Sequence, residues 1–376
     1  MPKTPEIQFE WQSPQAARGF RTAVSLHSHT LHSRENLGFL SEIAERTPGL
    51  DIAVRNRARR YRQIHGADLD FSRAWWTPPL SASDALHVER TSIDRLGLDP
   101  VVSLTDHDNV EAFASLRAVA HPEHVPASVE WTVPFRDSFF HLGVHNLPPD
   151  EVETIMKALA AYTACPDEQR LPDLLEWLDA RPEILIVFNH PMWDERRVGG
   201  PYHLALVHSF LGRLRPWLHA LELNGLRSWR ENQQVLPLAR AYGLPVVSGG
   251  DRHAREPNAN VNLTNASTFA GFAAEVREGH SRILFLTHYR ESLRFRMIQN
   301  IAEVLREDEG HRLGWTRWTD RIFLRGHDNV VRSLAALCGT RGPIIARQFV
   351  WMMGLLDHQG MRGALRSALA GRGEFA

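Results

Sequence analysis

Two histidines one residue apart, His27 and His29, end a short apolar run near the start of the chain. On a β-strand, residues i and i+2 point to the same face, so these two imidazoles would converge. Converging neutral imidazoles can bind a borderline divalent cation. The chain has 20 histidines, so one such pair also arises readily by chance. The rest of the sequence decides between a metal site and a coincidence.

Acidic and imidazole side chains recur where later apolar runs end. Asp106 after a strand is also typical of a helix N-cap, and a lone histidine there is often hydrogen-bonded in the core. Glu130 is harder to explain in that way, because a buried carboxylate needs a partner. Together these residues predict a metal site at the strand ends, with candidate ligands His27, His29, Asp106, His107, Glu130, His141, His145, His190, Asp251 and His253.

The elements that would position these residues alternate between strand and helix. Such alternation favours a parallel sheet, and seven or eight units favour a closed, TIM-like (β/α)7 barrel. Barrel enzymes place their chemistry at the carboxyl ends of the strands. The predicted strands begin at Val24 and then lie near 100–104, 127–129, 139–145, 184–188, 220–224 and 245–248, with helices near 109–120, 150–163, 171–180, 203–215 and 229–242.

The barrel is predicted to occupy residues 1–257, with an insertion near the site at 36–85. This insertion contains a basic run, 55–62, and a loop with Trp75-Trp76. Ser81, followed by a carboxylate three residues later, is typical of a helix N-cap. Residues 258–376 are predicted to form a mainly helical extension packed on the barrel, with helices over 267–279, 290–308, 327–338 and 343–357.

The composition excludes several classes of protein. A net charge of −1 gives no overall attraction for nucleic acid or for an anionic membrane. Two cysteines are too few for a disulfide framework. The chain lacks an apolar signal at its start, and its most apolar late stretch is shorter than a membrane span. We therefore expect a cytoplasmic, soluble protein that makes no membrane contact; its oligomeric state stays open.

Five motifs, in order along residues 24–254, resemble those of the polymerase and histidinol phosphatase (PHP) family of metal-dependent phosphoesterases. They are Leu26-His27-Ser28-His29-Thr30, Leu104-Thr105-Asp106-His107-Asp108, Val129-Glu130, Asn189-His190-Pro191 and Gly250-Asp251-Arg252-His253-Ala254.

The resemblance implies a distorted (β/α)7 barrel with two or three divalent ions of manganese, zinc or iron. It would assign His27, His29, Glu130 and Asp251 to the first ion. The second would share Glu130 and add His190 with a histidine of the 139–145 strand, His141 or His145, of which His141 is favoured. The third would take His107 and His253.

The chain departs from the family pattern in two places. Ser25 stands where the family usually has aspartate, and Arg34-Glu35 replaces its usual Asp-Gly. We predict that Glu35 takes the place of the missing aspartate at the third ion. The alternatives are that His32 supplies this ligand, that Glu35 pairs with Arg34 or Arg252 at the surface, or that no third site exists.

The predicted function is hydrolysis of a phosphate ester, with a small-molecule or nucleotide phosphomonoester as substrate. Two cations bridged by Glu130 would lower the pKa of a bridging water, so that it attacks as hydroxide. Glu130, Asp251 and His253 are the candidate catalytic residues. Lys3 and Lys157 are the only lysines, so a phosphate would be bound by arginine; the candidates are Arg34, Arg197, Arg227 and Arg252.

Three other functions stay open. A nuclease on single strands would use the 55–62 run and Trp75-Trp76, since aromatic side chains among basic ones suit base stacking. An amidohydrolase-like enzyme lacks its usual carbamylated lysine here, because no lysine lies near the strand ends. A non-catalytic, metal-stabilised module is disfavoured by the nearly intact ligand set.

Overall fold

The computed structural model describes residues 4–38, 59, 61–63, 66, 70–118 and 125–369. Its strands are β1 (Glu6–Phe9), β2 (Thr22–Ser25), β3 (Glu35–Asn36), β4 (Ala74–Trp76), β5 (Asp99–Val102), β6 (Ala127–Phe135), β7 (Ser138–Leu147), β8 (Leu185–Phe188), β9 (Ala220–Asn224), β10 (Val246–Gly249), β11 (Asn260–Thr264), β12 (Arg282–Phe285), β13 (Ile322–Arg325) and β14 (Val331–Ser333).

The α-helices lie between and after these strands. They are α1 (Ala82–Asp94), α2 (Glu111–Arg117), α3 (Val152–Ala164), α4 (Leu171–Asp179), α5 (Gly200–Leu214), α6 (Trp229–Tyr242), α7 (Phe269–Arg277), α8 (Leu293–Leu305), α9 (Leu334–Cys338), α10 (Ile344–Asp357) and α11 (Gln359–Leu369). Among the described residues, no helix is both long and apolar enough to cross a bilayer.

Two five-stranded sheets form the core, with strand orders β1-β12-β11-β2-β5 and β10-β9-β8-β7-β6. Strands such as β8 are buried along their whole length, as expected of strands covered on both faces. The two sheets meet at two backbone bridges, Ser28 with Arg252 and His107 with Glu130. Both bridges lie at the end of the sheets that carries the predicted ligands.

The mixed α/β class is confirmed, but the closed barrel of parallel strands is not what the described strands form. β6 and β7 are an antiparallel hairpin, and β7 is also antiparallel to β8. Only Arg136 and Asp137 join β6 to β7. A connection this short cannot make the crossover that parallel strands require.

The region after residue 257 is less helical than predicted. β11 pairs with β2, and β12 pairs with β1 and β11. The prediction of a helix over 327–338 is also wrong at its start, because β14 occupies Val331–Ser333. The division into domains at 257 stays a prediction, although strands after that residue complete the first sheet.

β11 was not predicted from the sequence, because its polar residues do not match the pattern of a buried strand. Asn262 is buried, and its side-chain oxygen accepts from the Ser248 backbone N–H at 2.8 Å. Its amide nitrogen donates to the carbonyl oxygens of Ser248 at 3.0 Å and Val24 at 3.2 Å. The side chain thus satisfies backbone groups between β10 and β2 as a further strand would.

A third, four-stranded sheet lies over the ligand end, in the order β14-β13-β4-β3. The Trp75-Trp76 pair, predicted in a loop, belongs to β4 of this sheet. The capping prediction at Ser81 is confirmed, since its hydroxyl accepts from the Asp84 N–H at 3.2 Å. Most of the 55–62 run lies outside the described residues.

Candidate metal centre

The carboxylate of Glu130, on β6, lies at the centre of the ligand end and is 1% exposed. Its Oε2 lies 3.0 Å from His27 Nε2 and 3.2 Å from His29 Nε2. Its Oε1 lies 3.2 Å from His190 Nε2 and 3.6 Å from His141 Nδ1. The two oxygens of one carboxylate therefore face two different pairs of imidazoles, and His107 Nδ1 also lies 3.4 Å from Oε2.

The first of these groups is completed by Asp251. Its Oδ1 lies 3.6 Å from both His27 Nε2 and His29 Nε2. These two nitrogens are buried without a hydrogen-bond partner in the described part of the chain. Donors about 2.1 Å from a tetrahedral ion lie roughly 3.4 Å from one another. The separations between donors, 3.0 to 3.6 Å, fit that requirement.

The second group contains Glu130 and His141 with His107 and His190 beside them, and it also approaches Glu195. The Oε2 atom of Glu195 lies 3.7 Å from His141 Nδ1. Asn189, next to His190, donates to Glu130 Oε1 at 2.9 Å and fixes the orientation of that carboxylate. Sequence reasoning missed Glu195, because it lies in a polar loop after the strand.

His145 does not join the described donor groups. Its Nδ1 lies 2.8 Å from Ser103 Oγ, and its ring stacks on Phe269. Burial, aided by the nearby His27, lowers the pKa of His145 to about 3. The structure therefore brings His141 into the cluster and leaves His145 as a neutral core residue.

The third group brings Glu35 together with His107 and His253, as the sequence predicted. Glu35 Oε2 lies 3.3 Å from His107 Nε2 and 3.1 Å from His253 Nε2. Burial alone would raise the pKa of Glu35, but the two imidazoles hold it well below its usual value. His32, the alternative ligand, instead lies with its Nδ1 3.1 Å from the Glu111 carboxylate.

In three of the rings, a polar contact on the far side directs the other nitrogen into the cluster. The Nδ1–H of His27 donates to Glu222 Oε1 at 2.6 Å, and that of His253 donates to the Asp251 carbonyl oxygen at 2.9 Å. His29 Nδ1 lies 3.2 Å from Ser33 Oγ. Such bonds fix the tautomer that leaves Nε2 free for a cation.

Glu222, on β9, was not predicted as a site residue. Its Oε2 also accepts from the His190 backbone N–H at 2.7 Å, and it is 1% exposed. A Cβ at Gly249 would lie 1.7 Å from Glu222 Oε1, so only glycine leaves room for it. The signal available in the sequence was a carboxylate inside an otherwise apolar strand.

Some of the strained backbone lies in the cluster. Three candidate ligands have positive φ angles: His27 at 63°, His190 at 29° and Asp251 at 57°. Non-glycine residues in this region cost of order 1–3 kcal/mol each and persist only where the surroundings demand them. Such strain is typical of functional sites.

Asp106 does not join the cluster, in contrast to its prediction as a ligand. Its Oδ1 accepts from the Thr30 N–H at 2.6 Å, and its Oδ2 accepts from the Thr30 hydroxyl at 2.7 Å. Both oxygens are therefore used to hold the segment that follows His29. In this structure Asp106 therefore holds the backbone beside His29 and lies outside the described donor groups.

Arg252 and Arg34 do not fit their predicted role in binding phosphate. Arg252 is buried, and its Nε donates to Glu89 at 2.9 Å. Arg34 lies over Trp75, 5.5 Å from the ring centre. Successive residues of β4 face opposite ways, and it is Trp76 that approaches His253, at 5.9 Å. Arg34 therefore lies on the face of the sheet that points away from the cluster.

Arg227 is the predicted arginine that lies at the cluster. Its Nη2 is 3.7 Å from Asp251 Oδ2, and its guanidinium stacks 3.7 Å over the ring of Trp193. Trp193 is 41% exposed, so this pair lies where solvent meets the site. Arg197 is exposed in the loop after His190, and its role stays a prediction.

Comparison with known proteins gives little beyond this geometry. No family model matches the chain, and no curated protein matches it. A solved Chromobacterium violaceum amidohydrolase with bound sulfate and no metal is similar at 14% identity, over 47% of this chain and 84% of that one, with a TM-score of 0.31.

Two other solved structures are similar at 13% identity. One, from Bacteroides vulgatus, is a two-domain protein with an inferred PHP-like metal-dependent phosphoesterase. The match covers 73% of this chain and 66% of that one, with a TM-score of 0.39. The other is an inferred metal-dependent phosphoesterase from Bifidobacterium adolescentis. That match covers 74% of this chain and 98% of the other, with a TM-score of 0.29.

Proposed function

We propose that this chain is a metal-dependent phosphoesterase of the PHP kind that hydrolyses a small-molecule or nucleotide phosphomonoester. The observation that carries the proposal is the position of Glu130, whose two oxygens face separate imidazole pairs. A carboxylate placed in this way is suited to bridge two cations. The meeting of the two sheets at the ligand end also supports the distorted barrel that the resemblance implies.

The donor groups would hold two or three divalent ions of manganese, zinc or iron, with His27, His29, Glu130 and Asp251 around the first. Such ions would lower the pKa of water and offset charge on the phosphoryl oxygens. Nitrogen and carboxylate donors without thiolate suit these metals.

The residues of the chain prepare the site for that chemistry. Glu222 holds His27 and the His190 backbone, and Asn224 donates to Asp251 Oδ2 at 3.1 Å. These fixed contacts keep the donors in place before substrate arrives. His253 lies at the edge of the cluster, 5.9 Å from the ring of Trp76, where its Nε2 would hold the third ion together with Glu35.

The proposal is tested by assaying the purified chain with p-nitrophenyl phosphate, bis-p-nitrophenyl phosphate and nucleotides in Mn²⁺, before and after chelation. We expect turnover of monoesters to exceed that of the diester and to disappear with chelator. Efficient degradation of oligonucleotides that falls with salt would favour a nuclease. Turnover of amides or lactones without phosphatase activity would favour an amidohydrolase.

The amidohydrolase alternative gains nothing from the site. Such an enzyme usually bridges its metals with a carbamylated lysine. Lys157, the one lysine among the described residues, is exposed on α3, where its Nζ lies 2.7 Å from Glu153. Lys3, the other lysine, lies outside the described residues. A nuclease would need the 55–62 run, most of which lies outside them as well.

Replacing His141 should remove the second cation, whereas replacing His145 should not. His141→Ala deletes a donor that faces Glu130, so we expect its metal content to fall by one ion per chain. His145→Ala deletes a neutral ring bonded to Ser103 and should keep the full content with a lower melting temperature. Elemental analysis of both variants after desalting decides the matter. Equal metal content in the two would refute the assignment.

Arg227→Met should weaken substrate binding more than turnover. A bidentate arginine–phosphate contact is worth about 1.5–3 kcal/mol, so we expect KM for a phosphomonoester to rise about 10-fold or more. Arg34→Met, on the face of the third sheet that points away from the cluster, is the matched control and should leave KM unchanged. Steady-state kinetics of both variants test this. An unchanged KM in Arg227→Met would leave the phosphate without its proposed arginine.

A further inference from the structure

Helix α10, Ile344–Asp357, exposes a wide apolar face. No acidic residue occurs in it before Asp357, and Met353 is its buried contact with the rest of the fold. Large apolar side chains are otherwise rarely so exposed in one place. The exposed set is Ile344 at 64%, Phe349 at 44%, Trp351 at 67%, Met352 at 44% and Leu355 at 45%.

A basic cavity of about 400 Å³ opens beside this face. Its walls include three arginines, Arg317, Arg341 and Arg347, against one carboxylate, Glu307, together with Trp351. Arg317 lies 3.6 Å from the Glu307 carboxylate. Arg341 and Arg347 form no ion pair with the described part of the chain. Two uncompensated guanidinium groups therefore border the most exposed tryptophan of the helix.

We propose that α10 binds the surface of an anionic phospholipid membrane. The apolar side chains would enter the boundary between headgroups and acyl chains, while lipid phosphate would occupy the cavity beside Arg341 and Arg347. Guanidinium groups bind phosphate well, and tryptophan is enriched at this depth of a bilayer. A helix of 14 residues is about 21 Å long, so it would lie along the membrane and not cross it.

The arginines favour this partner over a second copy of the chain. A two-fold interface brings the same patch of both copies together. It would therefore bury Arg341 and Arg347 of both copies. Of the carboxylates in α10 and in the cavity, Asp357 is already paired with Arg306 and Arg362, and Glu307 with Arg317. The buried guanidinium groups would lack a partner, which is costly. The net charge of −1 argued against membrane contact for the whole molecule, but it does not describe this local patch.

Co-sedimentation of the full chain with vesicles tests the proposal without any activity measurement. We expect binding to vesicles of phosphatidylcholine with 30% phosphatidylglycerol, weak binding to pure phosphatidylcholine, and loss of binding in high salt. Arg341→Gln with Arg347→Gln should weaken binding about 10-fold or more. Arg170→Gln with Arg213→Gln, the same charge change elsewhere, should have little effect.

Trp351→Glu supplies a second variant, because an exposed side chain can be replaced without unfolding the chain. It should abolish vesicle binding and leave the melting temperature unchanged. Equal binding to both vesicle types, or none, would overturn the proposal. A dimer that Trp351→Glu dissociates, without vesicle binding, would show self-association instead. Binding of inorganic phosphate without vesicle binding would show a site for free anions only.

Discussion

Glu130→Gln should lower kcat for a phosphomonoester by about 10³-fold or more while the chain stays folded. The substitution keeps the shape of the side chain, and its carbonyl oxygen can still accept from Asn189. It removes the negative charge that both imidazole pairs face, so two cations would lose their shared anionic ligand. Electrostatic stabilisation in a buried site is usually the largest part of catalysis, which is why we expect so large an effect.

The measurement combines kinetics, elemental analysis and thermal unfolding of the Glu130→Gln variant. Glu89→Gln is the matched control, because Glu89 is also a buried carboxylate but bonds Arg252 and Ser25 outside the donor groups. We expect the control to melt at a lower temperature, because Arg252 loses its partner. It should nevertheless keep most of its turnover. Near-normal activity in Glu130→Gln would contradict the two-cation site.

Much of the site was readable from the sequence, because ligand types and strand patterns are local. His27, His29 and Glu130 each follow or end an apolar run, and a run of buried residues fixes where such a side chain emerges. The order of the motifs then placed them at one end of the sheets. Burial in the structure agrees, since all three are 1% exposed or less.

The sequence does not show which side chains pair when they lie far apart along the chain. Arg252 was proposed to bind phosphate, but its partner Glu89 lies 163 residues earlier. Asp106 likewise finds Thr30 across 76 residues. A charge in a sequence shows what a side chain can do, and only the fold shows which neighbour already satisfies it.

Strand direction was also beyond local pattern. An apolar run predicts a buried strand, but the sequence pattern of β6 and β7 would be the same for parallel and for antiparallel pairing. β11 was missed for the opposite reason, because Asn260 and Asn262 make a buried strand look polar. In each case hydrogen bonding to a distant strand outweighed the local signal.

The third donor group depends on residues from both ends of the chain. Glu35 lies on β3 opposite Trp76 of β4, and Trp76 is paired in turn with Ile322 of β13. The position of Glu35 is therefore set by a strand that follows it by almost three hundred residues. This explains how a loop that departs from the family pattern can still place a carboxylate beside His107 and His253.

Glu35→Ala should release one cation per chain and lower turnover about 100-fold, an effect at the upper end of what a perturbed metal site shows. Among the described residues, Glu35 is the one carboxylate that contacts the Nε2 atoms of both His107 and His253, and the variant loses it. His32→Ala is the matched control, since its imidazole contacts Glu111 on α2 and should leave the metal content unchanged. Elemental analysis with Mn²⁺ titration measures both. An unchanged ion count in Glu35→Ala, or a loss in His32→Ala alone, would refute the assignment, because the ligand would then come from outside the third sheet.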